Sequence, residues 1–265
     1  GPCVREAIEW LGTRVTKVFA PFQAPLQMLG GGVERGRAGE RPFLEPFMPS
    51  DVEQVLEDHG FTVHRTNTYA LSGLPKRVAA LADPVGIRLR RMRVERSERE
   101  LAAMSEVHNR SIATLPLCTT LSASAFVQIG QEFRDLIASD LWWIAEDGER
   151  VVGFAGSFPD LLQAFGSVGG TGGVSDIDYV RKAVDEAKRG FVAWCGVLPE
   201  YSGRGIGVAL VCRVVEAMVA RGFREAWMSW ELTDGRIGQA EMSTSLSLAP
   251  IGFSQRDILV RDGMR

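Results

Sequence analysis

The chain has 265 residues, 45% hydrophobic and 24% charged, a composition that sustains one large globular domain or two small ones. Its 30 lysines and arginines nearly balance 33 aspartates and glutamates, giving a net charge of -3, so it lacks the positive excess that nucleic acid or an anionic membrane surface calls for. There is no run of about 18 apolar residues to cross a bilayer and no charged-then-apolar leader, and Cys3, Cys118, Cys195 and Cys212 lack CxxC spacing, which together predict a reducing, cytoplasmic setting without zinc.

In chain order, Arg5 to Val15 reads as helical and Val18-Phe19-Ala20-Pro21-Phe22 as a strand. Ser50-Asp51-Val52-Glu53 has capping-box spacing and starts a helix that ends at Gly60-Phe61, and Thr62 to Leu71 follows as a strand. Turn chemistry at Ser72-Gly73-Leu74-Pro75 and Asp83-Pro84 then divides residues 1–75 from 86–265. The longer part opens with a strand at Gly86-Ile87-Arg88-Leu89-Arg90. A second capping box, Ser97-Glu98-Arg99-Glu100, starts a helix running to about Ile112. Phe126, Ile129, Phe133 and Ile137 share one face of a further helix. Trp142 to Ala145 and Val151 to Gly156 flank an Asp-Gly turn and predict a hairpin. Gly169 to Gly173 predicts a flexible loop, and a charged helix follows it through Lys188.

Residues 191–197 are apolar on both alternations, as in a strand covered on both faces. After Pro199, Ser202-Gly203-Arg204-Gly205-Ile206-Gly207 forms a glycine turn into a helix that is apolar nearly all round and stops at Gly222. Three glycines let successive backbone N–H groups converge without Cβ atoms, and the helix start adds partial positive charge, so the turn predicts an anion site, best filled by a pyrophosphate. Ala226 to Leu232 alternates as a strand, parallel to the previous one because a helix joins them. Ser243 to Pro250 predicts a short last helix ending at Gly252-Phe253, and Ile258-Leu259-Val260 a closing strand.

A Rossmann dinucleotide turn fits less well, because it belongs in the first strand-helix unit with an acidic residue at the end of the next strand; here Glu225 precedes its strand. Kinase and Walker loops lack their lysine.

Val197-Leu198-Pro199 with Gly203-Arg204-Gly205-Ile206-Gly207-Val208-Ala209-Leu210 resembles the acetyl-CoA-binding motif of the GNAT acyltransferase superfamily, as do Gly252-Phe253 and the order of elements from 86 to 260. The resemblance implies a mixed α/β sheet with central splayed strands that admit the pantetheine arm, and acetyl-CoA or another short acyl-CoA as cosubstrate. It gives Val197 backbone bonds to the pantetheine and assigns the cofactor-binding loop to Ser202, Gly203, Arg204, Gly205, Ile206, Gly207 and Val208. Ser202 stands where the family commonly has Gln or Arg. Leu248 stands where it often has a proton-donating Tyr, and Glu241 where it often has Asn. The order in residues 1–75 resembles the C-terminal half of a second, degenerate GNAT unit, as in tandem bacterial GNAT proteins, in which Ser157 to Gln163 would follow the hairpin of the active unit. Half a sheet leaves open edges, so its strands either join the main sheet or pair with another copy of the chain in a homodimer.

The acceptor implied is a small-molecule or amino-acid-like amine, with neither nucleic acid nor membrane as partner. An amine must lose a proton on attack, which makes Glu231 the first candidate base, then Asp160 and Asp234, each weighed against an ordinary solvated carboxylate. Cys195 reads as a small buried core residue. His59, His64 and His108 do not cluster, and Trp142, Trp143, Trp194, Trp227 and Trp230 divide between core packing and acceptor-pocket walls. Beside the transferase stand two further readings: an acyl-CoA-binding module without catalysis, and an interaction protein.

Overall fold

The computed structural model describes residues 2–20, 33–35, 51–76, 78, 83–113, 118–132, 139–163, 177–230 and 248–262. In chain order its elements are α1 (Pro2–Leu11), β1 (Lys17–Ala20), β2 (Val33–Arg35), α2 (Val52–Glu57), β3 (Thr62–Gly73) and β4 (Arg88–Arg91). Then come α3 (Ser97–Ile112), α4 (Ala123–Glu132), β5 (Trp142–Asp147), β6 (Arg150–Pro159) and α5 (Ile177–Glu186). The last are β7 (Arg189–Val197), α6 (Ile206–Ala220), β8 (Glu225–Trp230) and β9 (Ala249–Asp262).

The chain divides into a smaller unit, residues 1–69 with 253–265, and a larger one, residues 70–252. Sequence alone had assigned everything after 86 to the larger part; residues 253–265 instead group with the smaller unit, so the chain passes between units once within β3 and once within β9. In the smaller unit β9 pairs antiparallel with β1, from Lys17↔Asp262 to Ala20↔Leu259, and with β2, from Val33↔Asp257 to Arg35↔Gln255. Ile8, Leu56, Phe61 and Leu259 form its buried core. Asp51 precedes α2 without a side-chain cap bond, and α2 closes in a left-handed cap, with Gly60 at φ 80° and the Phe61 N–H donating to Leu56 O at 3.1 Å. Ser50 lies outside the described residues.

The larger unit is built on a mixed sheet. β4, β5, β6 and β7 are successively antiparallel, and β8 is parallel to β7. The hairpin forms as its Asp-Gly turn requires, with Gly148 at φ 60°. Helix α6 packs on β5, β6 and β7, and its buried Ile206, Ala209, Leu210, Val211, Val214, Val215 and Met218 explain why the sequence is apolar on nearly every side. Each of the larger of these side chains stabilises the fold by roughly 1.5–3 kcal/mol relative to exposure. The helix ends as its glycine predicts: Gly222 sits at φ 82° and the Phe223 N–H returns to Met218 O at 3.0 Å.

A bulge organises the centre of this sheet. The β6–β7 register runs Phe158↔Phe191, Ser157↔Val192, then Gly156↔Trp194, leaving Ala193 unopposed. One extra residue reverses the alternation of faces. A Cβ on Gly190 would meet Met218 of α6, whereas one on Gly196, six residues on, would meet Ser111 of α3.

Four expectations are corrected. Ser97 makes no cap bond, because the Glu100 carboxylate is taken by the Arg93 backbone N–H at 2.8 Å and by the Arg90 guanidinium at 3.0 Å, which leaves the box without its second half. Ala249 and Pro250 lie in a strand, so no helix reaches Gly252-Phe253, and that dipeptide is strand as well. Ser72 and Gly73 finish β3, and the turn before β4 falls at Val85 and Gly86. Cys195 is exposed on the half of β7 that β8 no longer flanks, although packing around its thiol pushes its pKa up to about 12, while Cys212 is buried. Residues 133–138, 164–176 and 243–247, which hold Phe133, Ile137, the Gly169 to Gly173 stretch and most of the expected last helix, lie outside the described residues.

Candidate active site

The sequence around β7 produces a strand that belongs to the sheet for only part of its length. Its parallel ladder with β8 runs Arg189↔Glu225, Gly190↔Ala226, Phe191↔Trp227 and Val192↔Met228 and stops there, although β7 continues to Val197 and β8 to Trp230. The break coincides with the bulge at Ala193, where added local twist turns the strand away from its parallel partner. Beyond it, the Leu198 N–H donates to Val152 O at 2.9 Å on the β6 side. Backbone groups alternate sides along a strand, so the N–H and C=O of Val197 point to the opposite, unladdered edge.

That strand runs directly into the glycine turn. Pro199, Glu200 and Tyr201 make one short helical turn, tied back by the Tyr201 and Ser202 amides to Leu198 O and Pro199 O. Gly203 at φ 78° and Gly205 at φ 75° then bring the chain to α6 through a left-handed conformation that a side chain would strain. An N-terminal cap residue usually spends a side-chain oxygen on the first helical amides. Gly205 has none to offer, the first turn of α6 contains no acidic residue, and the first backbone bond of the helix is Ala209 N–H to Gly205 O at 3.0 Å. Among the described residues, therefore, the amides of Gly203, Gly205, Ile206, Gly207 and Val208 meet no protein acceptor, while the Arg204 N–H closes the turn through Ser202 and Gly203. The structure leaves them convergent at the positive end of a 15-residue helix.

Nearby charge is arranged in the same sense. Glu200 is the carboxylate next to the turn, and it is held by the Arg110 guanidinium at 2.9 and 3.0 Å and by Arg150 at 3.2 Å. Arg204 lies over the Tyr201 ring, 4.7 Å from its centroid, and the Tyr201 hydroxyl donates to Asp147 at 2.7 Å. Gly207 belongs to the first turn of α6 and lies against the open half of β7: a Cβ there would stand 3.7 Å from Val197 Cγ2 and 4.0 Å from Cys195 Sγ. The free strand edge and the amide cradle are thus adjacent, an arrangement that fits an extended chain ending in a diphosphate.

Other expected residues are placed differently. Asp160 follows the end of β6, where Pro159 pairs with Gly190, while Val197 pairs with Gly153 at the strand's other end. The separation along β7 is roughly 23 Å at strand rise. Asp160 is buried; its carboxylate accepts the Leu162 and Gln163 N–H groups and faces Arg189 at 3.9 Å, and burial raises its pKa above the ordinary value. Glu231, Asp234 and Glu241 lie outside the described residues. Leu248 is buried immediately before β9 and not in a helix, so the helical offset that placed it against a tyrosine does not apply.

Two features had no local signal in the sequence. The clamp on Glu200 joins α3, β6 and the turn. The other is an aromatic nest of Phe126, Trp142 and Trp194 with His108, whose ring is 5.3 Å from Phe126 and 6.1 Å from Trp194. Burial lowers the His108 pKa to about 4, so its imidazole is neutral at pH 7.

Comparison with known proteins bears on the family and the fold. Residues 118–236 match the acetyltransferase (GNAT) family. The fold resembles that of a GCN5-related N-acetyltransferase from Sphaerobacter thermophilus, with TM-score 0.57 and 19% identity, over 82% of this chain and 57% of that one. The chain therefore spans little more than half the length of that relative. A GCN5-related N-acetyltransferase from Kribbella flavida aligns at TM-score 0.46 and 15% identity, over 79% of this chain and 63% of the other. A tandem GNAT protein from the clavulanic acid biosynthesis pathway aligns at 0.48 and 10%, over 99% and 69%. No curated protein matches the chain.

Proposed function

We propose that this chain, whose residues 118–236 match the GNAT acetyltransferase family, transfers an acetyl or other short acyl group from coenzyme A to the amine of a small or amino-acid-like molecule. The observation that carries the reading is the pairing of two unused sets of backbone groups: the edge of β7 beyond Val192 and the amides of Gly203 and of Gly205 to Val208. A pantetheine arm is an extended amide chain that can bond to the first, and its diphosphate is an anion for the second. Ser202 in place of a long polar side chain is compatible with this, because main-chain groups hold the ligand. The described residues contain no group of three or more potential metal ligands, and the reaction as proposed uses none.

In the reaction the acceptor nitrogen attacks the thioester carbonyl carbon, a C–N bond forms, the C–S bond breaks, and the CoA sulfur leaves with a proton. The Val197 N–H, on the open edge, is placed to stabilise negative charge developing on the carbonyl oxygen. The nitrogen's proton goes to a carboxylate; Glu231, the residue directly after β8, is our first choice, ahead of Asp234, while Asp160 lies too far along β7 from Val197 to take it.

Calorimetric titration with acetyl-CoA followed by a thiol-release assay over an amine panel tests the reading. Binding followed by thiol release supports it. Binding without release supports a non-catalytic acyl-CoA module. No binding points to an interaction protein and overturns both.

A further inference from the structure

Trp194 is the first residue of β7 after the bulge to regain a partner on β6, opposite Gly156. Cross-strand partners share a face, so Trp194, Gly156 and Trp142 (opposite Gly156 on β5) lie on one side of the sheet. That is the α3 side, since Gly196, two residues on, faces Ser111. Three rings surround the Trp194 indole: Trp142 edge-on at 5.7 Å, Phe126 at 5.4 Å and His108 at 6.1 Å. All three are buried, yet Trp194 is only half-buried, at a level of β7 where the ladder with β8 has ended. The indole therefore packs against three buried rings and keeps part of its surface exposed, on the half of the strand where the reactive end of an acyl donor would lie.

The backing is also chemically odd. Among the described residues, His108 Nε2 and Trp142 Nε1 are buried without a hydrogen-bond partner, a desolvation cost that a purely structural core would avoid with carbon. Neither ring carries charge at neutral pH, and Phe126 cannot, so the nest neither repels an ammonium group nor offers a cation to a carboxylate. A rigid, half-exposed indole in an uncharged setting attracts flat rings by stacking and ammonium groups by cation–π contact.

We infer that Trp194 is the residue that selects the acceptor, as a stacking platform for an amine carrying an aromatic ring and no carboxylate. The inference rests on the transferase reading above for its location and adds to it the class of acceptor. Aliphatic amines reach the same edge without the stacking contact, and amino acids bring a negative charge that the nest does not pair.

The test uses the full chain, with and without CoA, titrated with 2-phenylethylamine, 2-cyclohexylethylamine and phenylalanine. These three differ in ring flatness or in the carboxylate while keeping an amine. Phenylethylamine is expected to bind roughly fivefold to tenfold more tightly than its saturated analogue. Trp194→Leu removes that preference, Trp194→Phe keeps part of it, and neither changes acetyl-CoA affinity in a separate titration. If phenylethylamine turns over, Trp194→Leu raises its KM more than it lowers kcat. Equal binding of the two amines, preference retained in Trp194→Leu, tightest binding of phenylalanine, or no binding of any of them overturns the platform. Failure of the wild-type chain to bind acetyl-CoA overturns the transferase reading instead and leaves the amine comparison to decide the platform by itself.

Discussion

The two halves of β7 differ in almost every respect that matters. From Arg189 to Val192 the strand is laddered on both sides, and the Arg189 guanidinium bonds Glu225 across the parallel pair at 2.7 and 2.8 Å. From Ala193 to Val197 it is, among the described residues, laddered to β6 alone, with an exposed cysteine and a half-buried indole in place of buried Phe191 and Val192. A single continuous strand thus supplies structure at one end and an open backbone edge at the other. One inserted residue separates the two roles.

The sharpest way to break the open half is at its cradle. Gly205→Val forces a β-branched residue into φ 75°, where a Cβ meets no atom within 4 Å, so the penalty is backbone strain and not crowding. Strain of about 1–3 kcal/mol would reorient the free amides and lower acetyl-CoA affinity by roughly tenfold to a hundredfold in calorimetry. Unchanged affinity would remove the turn from the binding site.

Next in size is the titration of His108. Its folded pKa, near 4, lies below the ordinary histidine value of 6.5 because burial disfavours the cation. The unfolded chain therefore binds the proton first, and stability is lost as pH falls from 6.5 toward 4, by on the order of 3 kcal/mol. Urea denaturation of the wild type across that window, against His108→Phe, reads the difference: the variant should lose less stability with acid. Parallel curves would mean that the imidazole is not held neutral.

The closed half is probed at Gly190, where a Cβ would collide with the Met218 side chain and crowd the Phe223 ring. Gly190→Ala should cost roughly 1–3 kcal/mol in denaturation midpoint and slope, with acetyl-CoA affinity of the folded protein nearly unchanged. A loss of affinity as large as that of Gly205→Val would mean that the two halves do not act separately. The smallest effect is expected from Glu200→Gln. It removes the negative charge next to the cradle, so acetyl-CoA should bind slightly more tightly at low ionic strength, with the gain fading in salt. Weaker binding at low salt would indicate that the Arg110 and Arg150 clamp itself shapes the turn.

Sequence reading located the glycine turn and the start of α6 because their physics is local. Only glycine tolerates the angles at Gly203 and Gly205, and an all-round apolar helix can only be a buried one. It reached the parallel β7–β8 pair for a topological reason, the connecting helix. It failed where distant groups compete. Ser97 and Glu100 have ideal capping spacing, but Arg90 and the Arg93 amide claim the carboxylate. Ser243 to Pro250 looked helical, yet Ile251 and Phe253 alternate with Gly252 and Ser254, a period of two that extends the strand back through them, with Pro250 tolerated near its start. The bulge at Ala193 has no glycine or proline to announce it. Nor could spacing reveal the aromatic nest, since residues 108, 126, 142 and 194 meet only through the tertiary fold.

The smaller unit has a temporal side. Its core joins Ile8, Leu56 and Phe61 to Leu259, almost the whole chain away. At a synthesis rate of roughly 5–20 residues per second, the first three side chains would wait some 10 to 40 s for the fourth. In that interval the larger unit can close while its neighbour is still incomplete, so a ribosome-bound chain stalled before Leu259 should expose the early segment to protease and shield the later one.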